Sequence, residues 1–276
     1  MMQLSAIYRY PVKSLRGHAL PISEVEPIGL AGDRRWLVVD PAGKAVTIRD
    51  IPKMVEIEAE VTDDGLRLSH ATHGTCVVPS PGPASRSETV NVWSDSVAAR
   101  AAGLEASTYL SSILGHDVSL VHLADVTARP ITDEAAGGAA LHVSFADAYP
   151  VLLATTASVE DLGRRLGYDV SVRAFRPNLV ISGSAPWAED TWRVIRVGGV
   201  TFRIAKPCDR CVVTTCDPDT GAQRDPTEPL RTLGKFHRAA DGGIIFGQNA
   251  LPESTGIVRV GDAVEIVETG QSNLGI

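Results

Sequence analysis

The stretch Lys206-Pro-Cys-Asp-Arg-Cys-Val-Val-Thr-Thr-Cys216 holds three of the chain's four cysteines within nine residues. It lies among short apolar and β-branched runs at 191–198, 200–205, 211–215 and 243–248, separated by turn residues. Runs of that length and composition read as strands, and 255–260 and 262–267 continue the pattern. Upstream, 149–154 and 178–183 are further strands. Between them the spacing predicts a helix to Leu166, capped by Thr156 or Ser158, with Glu160 and Asp161 in its first turn and Gly167 as its stop. A short helix is expected at 229–237. Residues 143–270 thus read as a β-barrel domain with inserted helices.

The first part is patterned in the same way. Candidate strands lie at 4–12, 19–28, 35–40, 54–61, 66–70, 75–79 and 89–93, punctuated by Gly17, Pro41 and Gly43, Asp63 to Gly65, and Pro79 to Gly82. Leu110, Ile113 and Leu114 have helical spacing within 107–114, and 117–123 reads as a closing strand. The expected class is therefore mainly β with helices (α+β), with an N-terminal β-barrel-like domain over 1–124. A loop or linker, 125–142, joins it to the second barrel. The small, glycine-rich segment 127–140 reads as a mobile lid over a site.

Lys and Arg number 26 against 33 Asp and Glu, a formal charge of −7. That balance lacks the footprint of a general nucleic-acid binder, though one local cationic pocket is compatible with it. The N-terminus has no apolar core of a secretory signal, and no run approaches the roughly 18 apolar residues of a membrane span. The expectation is a cytoplasmic protein without a membrane partner, a monomer or weak homo-oligomer.

In such a chain, clustered cysteines point to metal or catalytic chemistry before disulfides. Four chemistries compete for the stretch. Cysteine can be an incidental small core residue. A zinc site would use Cys208, Cys211, Cys216 and His237, but zinc usually takes two paired knuckles, and only one pair is present. A redox Cys-x-x-Cys normally opens a helix, whereas 211–215 reads as a strand. The fourth is one reactive thiolate at Cys211, favoured by adjacent Arg210 and nearby Lys206. His70 and His73 are close in sequence but sit in a polar turn without a third ligand.

Five further segments join this stretch in a common pattern. They are Tyr10-Pro-Val-Lys-Ser-Leu-Arg-Gly17, Gly32-Asp-Arg-Arg-Trp36, Phe175-Arg-Pro-Asn-Leu-Val180 with Trp187 to Asp190 and Trp192 after it, Asp217-Pro-Asp-Thr-Gly221, and Phe246-Gly-Gln-Asn249. In this order and spacing, over nearly the whole chain, the sequence resembles the MOSC superfamily. It is similar to the mitochondrial amidoxime-reducing component and to bacterial reductases of N-hydroxylated compounds.

The resemblance implies a molybdenum–molybdopterin cofactor, with Cys211 as metal ligand and catalytic residue. A soft thiolate suits a metal already held by sulfur. Lys13, Ser14, Arg34 and Arg176 would hold phosphate and pterin edge, Arg210 would lie against the cofactor, Asn178 and Asn249 would orient it, and Asp147 would accept pterin N–H groups. It implies an oxidoreductase converting N–OH to N–H. Electrons would come from separate proteins, a ferredoxin- or cytochrome b5-like carrier and a flavin reductase, because no cysteine-rich ferredoxin-like domain follows. Pyridoxal phosphate is associated with these domains at family level, yet no Schiff-base lysine motif stands out. A cofactor carrier and a sulfur carrier using a Cys211 persulfide are the competing functions. Read singly, Lys13 and Ser14 fit a solvated turn, Arg34 an ion pair, and Arg176 a surface position. Asp217 to Gly221 fits a tight turn. Cys208 fits a supporting position, and Cys76 and Cys216 inert ones.

Overall fold

A computed structural model describes residues 1–131 and 141–275. The first part of the chain forms β1 (Gln3–Arg9), β2 (His18–Leu20), β3 (Ile22–Glu26), β4 (Gly29–Leu30), β5 (Trp36–Val39), β6 (Glu58–Thr62), β7 (Gly65–His70), β8 (Gly74–Pro79), β9 (Ser87–Val92) and β10 (Asp95–Ala101). Helix α1 (Leu104–Leu114) and β11 (Ser119–Leu123) follow. The second part forms β12 (Val151–Thr155), α2 (Thr156–Leu166), β13 (Leu179–Ser182), β14 (Trp192–Val197), β15 (Val200–Asp209), α3 (Leu230–Leu233), β16 (Ile245–Pro252), β17 (Gly256–Arg259) and β18 (Val264–Thr269). The fold is mainly β with helices.

The principal sheet has eight strands in the order β18-β14-β15-β16-β12-β13-β1-β2. Every pair is antiparallel except β12 and β13. A parallel pair needs a crossover, and α2 supplies it. The sheet curls until β1 reaches the turn before β18. There Leu4 N–H donates to Asp262 O (2.9 Å), Gly261 N–H to Leu4 O (2.8 Å) and Val264 N–H to Met2 O (3.0 Å). These few bonds close a barrel whose core is Leu4, Ile7, Leu153, Ile181, Ile195 and Phe202, each fully buried. The sheets β5-β11-β10-β9 and β6-β7-β8 build the other body of the molecule, with α1 against β8 and β11. Its core includes Leu15, Met54, Ile57, Leu66 and Leu110.

Four local expectations are corrected. Residues 211–215 do not form a strand; Val212–Thr215 is a 3-10 turn. Thr214 and Thr215 donate their hydroxyls to the carbonyls of Cys211 (3.0 Å) and Val212 (2.8 Å), three residues back. Those bonds give the backbone a local partner in place of a ladder. The α2 cap is Thr155, whose side chain accepts from Ser158 N–H. The helix expected at 229–237 is one turn, Leu230–Leu233. Strand β10 was unexpected, because its alanines conceal the alternation that buries Val97 and Ala99. Of the segment 127–140 read as a lid, 132–140 lie outside the described residues. Its flanks pair with each other, Ile131 N–H on Leu141 O and Val143 N–H on Arg129 O.

Candidate cofactor site

One rim of the barrel gathers the ends of β1 and β15 and the starts of β12 and β13, beside the loop before β5. The register of β15 on β16 shifts twice there, between Ile204 and Lys206 and between Pro207 and Asp209. Such shifts re-aim side chains, and they favour barrel rims and functional sites. A cavity of about 410 Å³ opens at this rim. Lys13, Ser14, Arg34, Asp147, Arg176, Asn178, Arg210, Cys211 and Asn249 all line it. Nine residues singled out from the sequence, spread over more than 230 positions, thus line one cavity.

Backbone geometry marks the same place. Among the described residues, five non-glycine residues have positive φ: Ser14 (71°), Arg34 (50°), Trp93 (56°), Arg176 (56°) and Trp187 (63°). The first four line the cavity. Left-handed backbone is costly for residues with a Cβ and persists where surrounding contacts hold it, often at functional sites. Here it turns three side chains, Ser14, Arg34 and Arg176, onto one wall.

Lys13, Arg34 and Arg176 are anchored by neighbouring protein groups. Lys13 Nζ donates to Phe145 O (2.9 Å) and Asp147 Oδ1 (2.5 Å). Arg34 Nη1 binds Asp33 Oδ2 and Asn178 Oδ1 (2.9 Å), and its Nη2 binds Arg176 O (3.1 Å). Arg176 Nη2 reaches Leu15 O at 2.9 Å. Both guanidiniums lie over Tyr10, Arg34 at 4.5 Å and Arg176 at 4.2 Å from the ring centroid. Asn178 is fully buried, with its amide engaged by Arg34, Leu152 N–H and Tyr8 O. Asn249 Nδ2 donates to Pro207 O at 3.2 Å, bracing the cysteine segment.

The cysteine environment differs from its sequence neighbourhood. Arg210 does not serve Cys211; its Nη1 donates to Cys208 Sγ (2.8 Å) and its Nη2 to Phe175 O (2.7 Å). The donor facing Cys211 Sγ is Arg49 Nη2, at 3.1 Å, from the other body of the molecule. Arg49 lies on Trp93, 4.6 Å from its ring, and Trp93 Nε1 donates to Asp147 Oδ1 at 3.2 Å. Sequence reasoning missed Arg49 and Trp93. The run 89–93 reads as a strand ending on Trp93, whereas Trp93 stands in the turn after Val92.

The electrostatics follow from this packing. Six cations line the cavity, Lys13, Arg34, Arg49, Arg176, Lys206 and Arg210, against two carboxylates, Asp147 and Asp209. Burial lowers Arg176 to about 10 and crowding by Arg34 adds to this, opposed by Tyr10; the guanidinium stays charged at neutral pH. Burial also lowers Lys13, partly restored by Asp147. Desolvation would raise the Asp147 carboxyl, but Lys13, Arg49 and Arg34 outweigh it and hold it well below the carboxylate range. Burial pushes the Cys208 thiol up, against the pull of Arg210. Arg210 Nε is buried without a hydrogen-bond partner among the described residues, a donor left for a ligand.

Residues 1–117 match the family described as the MOSC N-terminal beta barrel domain, and residues 140–265 match the MOSC domain. The chain belongs to the MOSC family. This MOSC chain is 36% identical to mitochondrial amidoxime-reducing component 1 of Mus musculus, over 96% of the chain and 82% of the relative. It is 32% identical to the Homo sapiens component 1, covering 96% and 82%. It is also 32% identical to mitochondrial amidoxime reducing component 2 of Bos taurus, covering 95% and 82%.

The remaining candidates of this MOSC chain fall elsewhere. Cys76 and Cys216 are buried in the first body's core. Asp217 forms a turn, its Oδ1 accepting from Asp219 N–H, Thr220 N–H and Thr220 Oγ1. His237 is buried, its ring nitrogens bonded to Ile245 O and Asp190 Oδ2. Among the described residues no helix is long and apolar enough to cross a membrane. None of these findings supports pyridoxal phosphate.

Proposed function

We propose that this protein is a molybdenum-cofactor-dependent oxidoreductase that reduces N-hydroxylated compounds, N–OH to N–H, with electrons from separate carrier proteins. The observation that carries this reading is the cavity itself. It unites a soft thiol with six cations. The donor set fits the cofactor. Guanidinium forks match phosphate oxygens, Arg210 Nε offers an unused donor, and a cysteine sulfur suits a metal held by sulfur.

Lys13, Ser14, Arg34 and Arg176 would hold the anionic end, on side chains already fixed from behind. Preorganised donors bind an anion without first being ordered. Arg210 would sit along the cofactor and Cys211 would supply the metal ligand. Asn178 acts by fixing Arg34 rather than by touching the cofactor, since its amide is engaged by the protein. Asn249 acts likewise through Pro207. When bound, the cofactor supplies the two-electron reductant and the oxygen acceptor. The balance is R–N–OH plus two electrons and two protons, giving R–N–H and water. Asp147, held ionised by Lys13, Arg49 and Arg34, is a poor acid, so its carboxyl does not supply the protons. The donors are a small iron–sulfur or haem carrier served by a flavin reductase.

The test uses protein from a cofactor-competent host. Molybdenum and pterin per chain, and amidoxime turnover with a chemical electron donor, are compared between the parent and Cys211→Ser. Near-stoichiometric cofactor and turnover in the parent, with metal content or turnover at least ~10-fold lower in the variant, is expected. Cofactor without turnover, released to an acceptor apoenzyme, would make the protein a carrier. No cofactor, with sulfane sulfur on Cys211, would make it a sulfur carrier.

A further inference from the structure

Arg49 reaches the Cys211 sulfur from the turn between β5 and β6, on the other body of the molecule. That turn is fixed locally. Thr47 N–H and Oγ1 both donate to Asp50 Oδ2 (2.9 Å each), Arg49 N–H donates to Thr47 Oγ1 (3.3 Å), and Ile51 N–H donates to Thr47 O (2.9 Å). Ile48 and Ile51 anchor it in the first body's core, and Arg49 between them is exposed at the cavity. Its guanidinium is held without a carboxylate. Lys13 has Asp147, Arg34 has Asp33 and Arg129 has Asp95, whereas Arg49 forms no ion pair among the described residues. Instead it lies 4.6 Å from the Trp93 ring centroid, and its Nη2 donates to Cys211 Sγ at 3.1 Å. Trp93 is tied in turn to Asp147 through Nε1 (3.2 Å). An exposed arginine loses rotamer freedom when it is ordered, so the ring and the sulfur are what hold this one in place. A neutral thiol is a weak acceptor, while a cysteine sulfur bound to a metal keeps its negative charge. A guanidinium with no carboxylate suits the second. The sequence neighbour, Arg210, is engaged on Cys208 and Phe175 instead.

We propose that Arg49 is a positioning residue for the metal ligand: it fixes the Cys211 sulfur and, by drawing charge from it, raises the reduction potential of the metal that this sulfur binds. The proposal rests on Cys211 ligating a molybdenum cofactor, and it adds the residue that tunes that ligand. A hydrogen bond to a ligating sulfur weakens its donation to the metal, and a nearby positive charge favours the more reduced centre. In a protein that takes electrons from separate carriers, such a shift lets a mild donor load the metal. Trp93 serves by holding the guanidinium in line with the sulfur.

The test compares Arg49→Gln, which removes the charge, and Arg49→Lys, which keeps it, with the parent, all from a cofactor-competent host and normalised to molybdenum. Arg49 is exposed, so neither change is expected to move Tm. The metal's one-electron midpoint is read by redox titration with paramagnetic resonance, alongside molybdenum per chain and amidoxime turnover. Arg49→Gln is expected to shift the reduction equilibrium ~10-fold toward the oxidised metal, about 59 mV for a one-electron couple. Turnover limited by a mild electron donor falls several-fold, with the KM for the amidoxime within about two-fold. Arg49→Lys restores most of the midpoint, and both variants keep their molybdenum. An unchanged midpoint in Arg49→Gln overturns the proposal and leaves Cys211 as the ligand. So does a lower Tm with an unchanged midpoint, which makes Arg49 structural. Loss of molybdenum from both variants also overturns it, and makes Arg49 a residue that holds the cofactor. Equal midpoint shifts in the two variants overturn the role of the charge. If the midpoint shifts as expected but the parent turns over no amidoxime, the tuning role stands and the reductase reading falls. A parent without molybdenum overturns both.

Discussion

Tyr10, buried at 2% exposure, carries two guanidiniums on one ring. A Cβ on Gly17 would fall 2.2 Å from Tyr10 Cδ1, so glycine seven residues later is what lets the ring seat. The ring's negative face offsets part of the repulsion between Arg34 and Arg176, the effect being about 1–2 kcal/mol per desolvated pair. The hydroxyl has a different standing. It is buried, has no hydrogen-bond partner among the described residues, and burial pushes its pKa up to about 12. Removing it relieves an unmet polar group, worth about 1 kcal/mol. Tyr10→Phe is therefore expected to raise unfolding free energy by about 1 kcal/mol while cofactor content per chain stays unchanged. Tyr10→Leu, which removes the ring face, lowers cofactor content several-fold. Denaturant titration and metal analysis check both, and equal cofactor content in the two variants would remove the aromatic from the site's construction. The Tyr10 to Gly17 motif and both arginines are visible in the sequence, but the stacking of Arg34 and Arg176 on the Tyr10 ring is not. They lie 24 and 166 residues further along the chain.

At the scale of elements, helix α2 shows how a cap becomes part of a buried network. Thr155 Oγ1 accepts from Ser158 N–H and meets both carboxylate oxygens of Glu189, at 3.2 and 3.1 Å. Glu189 is 1% exposed, and burial raises its pKa from 4.5 to about 7. The folded state thus holds a proton that the unfolded chain releases at lower pH. Stability from this group is full below about 4.5 and is lost as pH rises toward 7. Glu189→Gln keeps the shape without the charge. It is expected to stabilise the protein at pH 8 by about 3 kcal/mol, at about 1.4 kcal/mol per pKa unit, and the gain shrinks as pH falls toward the ordinary glutamate value. A gain independent of pH would show that Glu189 is not the titrating group. Elements with strong periodicity, such as α1 and the strand Val264–Thr269, were legible in the sequence. The 3-10 turn after Cys211 was not. Val-Val-Thr-Thr has strand propensity, and only the threonine hydroxyls' back-bonds and the end of the β15 ladder override it.

At the scale of the molecule, the N-terminal strand belongs to the far barrel. β1 pairs with β13, Ile7 opposite Leu179, and its first residues close the ring at Asp262 and Val264. Leu4 and Ile7 are fully buried in the barrel core. A fragment of residues 143–276 alone would lose these side chains and expose one edge of β13. It is expected to be insoluble or to show no cooperative unfolding. Adding a peptide of residues 1–30 in trans should restore a folded far-ultraviolet spectrum. A fragment that folds alone would show the barrel to be independent of its N-terminal strand. The charge distribution is also a property of the whole. A chain of formal charge −7 collects six cations around one cavity, because strands from distant segments end at the same rim.

Period-two alternation and turn residues determined a mainly β chain with a few helices, since burial on one face of a strand is a local, repeating demand. The resemblance of its ordered motifs to a known family nominated nine residues, and all nine line the cavity. Pairing and facing were decided only by tertiary structure. Arg49 meets Cys211 across 162 residues, and Trp93 meets Asp147 across 54. Neither contact has a local signature, because strand pairing is chosen by the burial of whole faces, and side chains meet only after that choice is made.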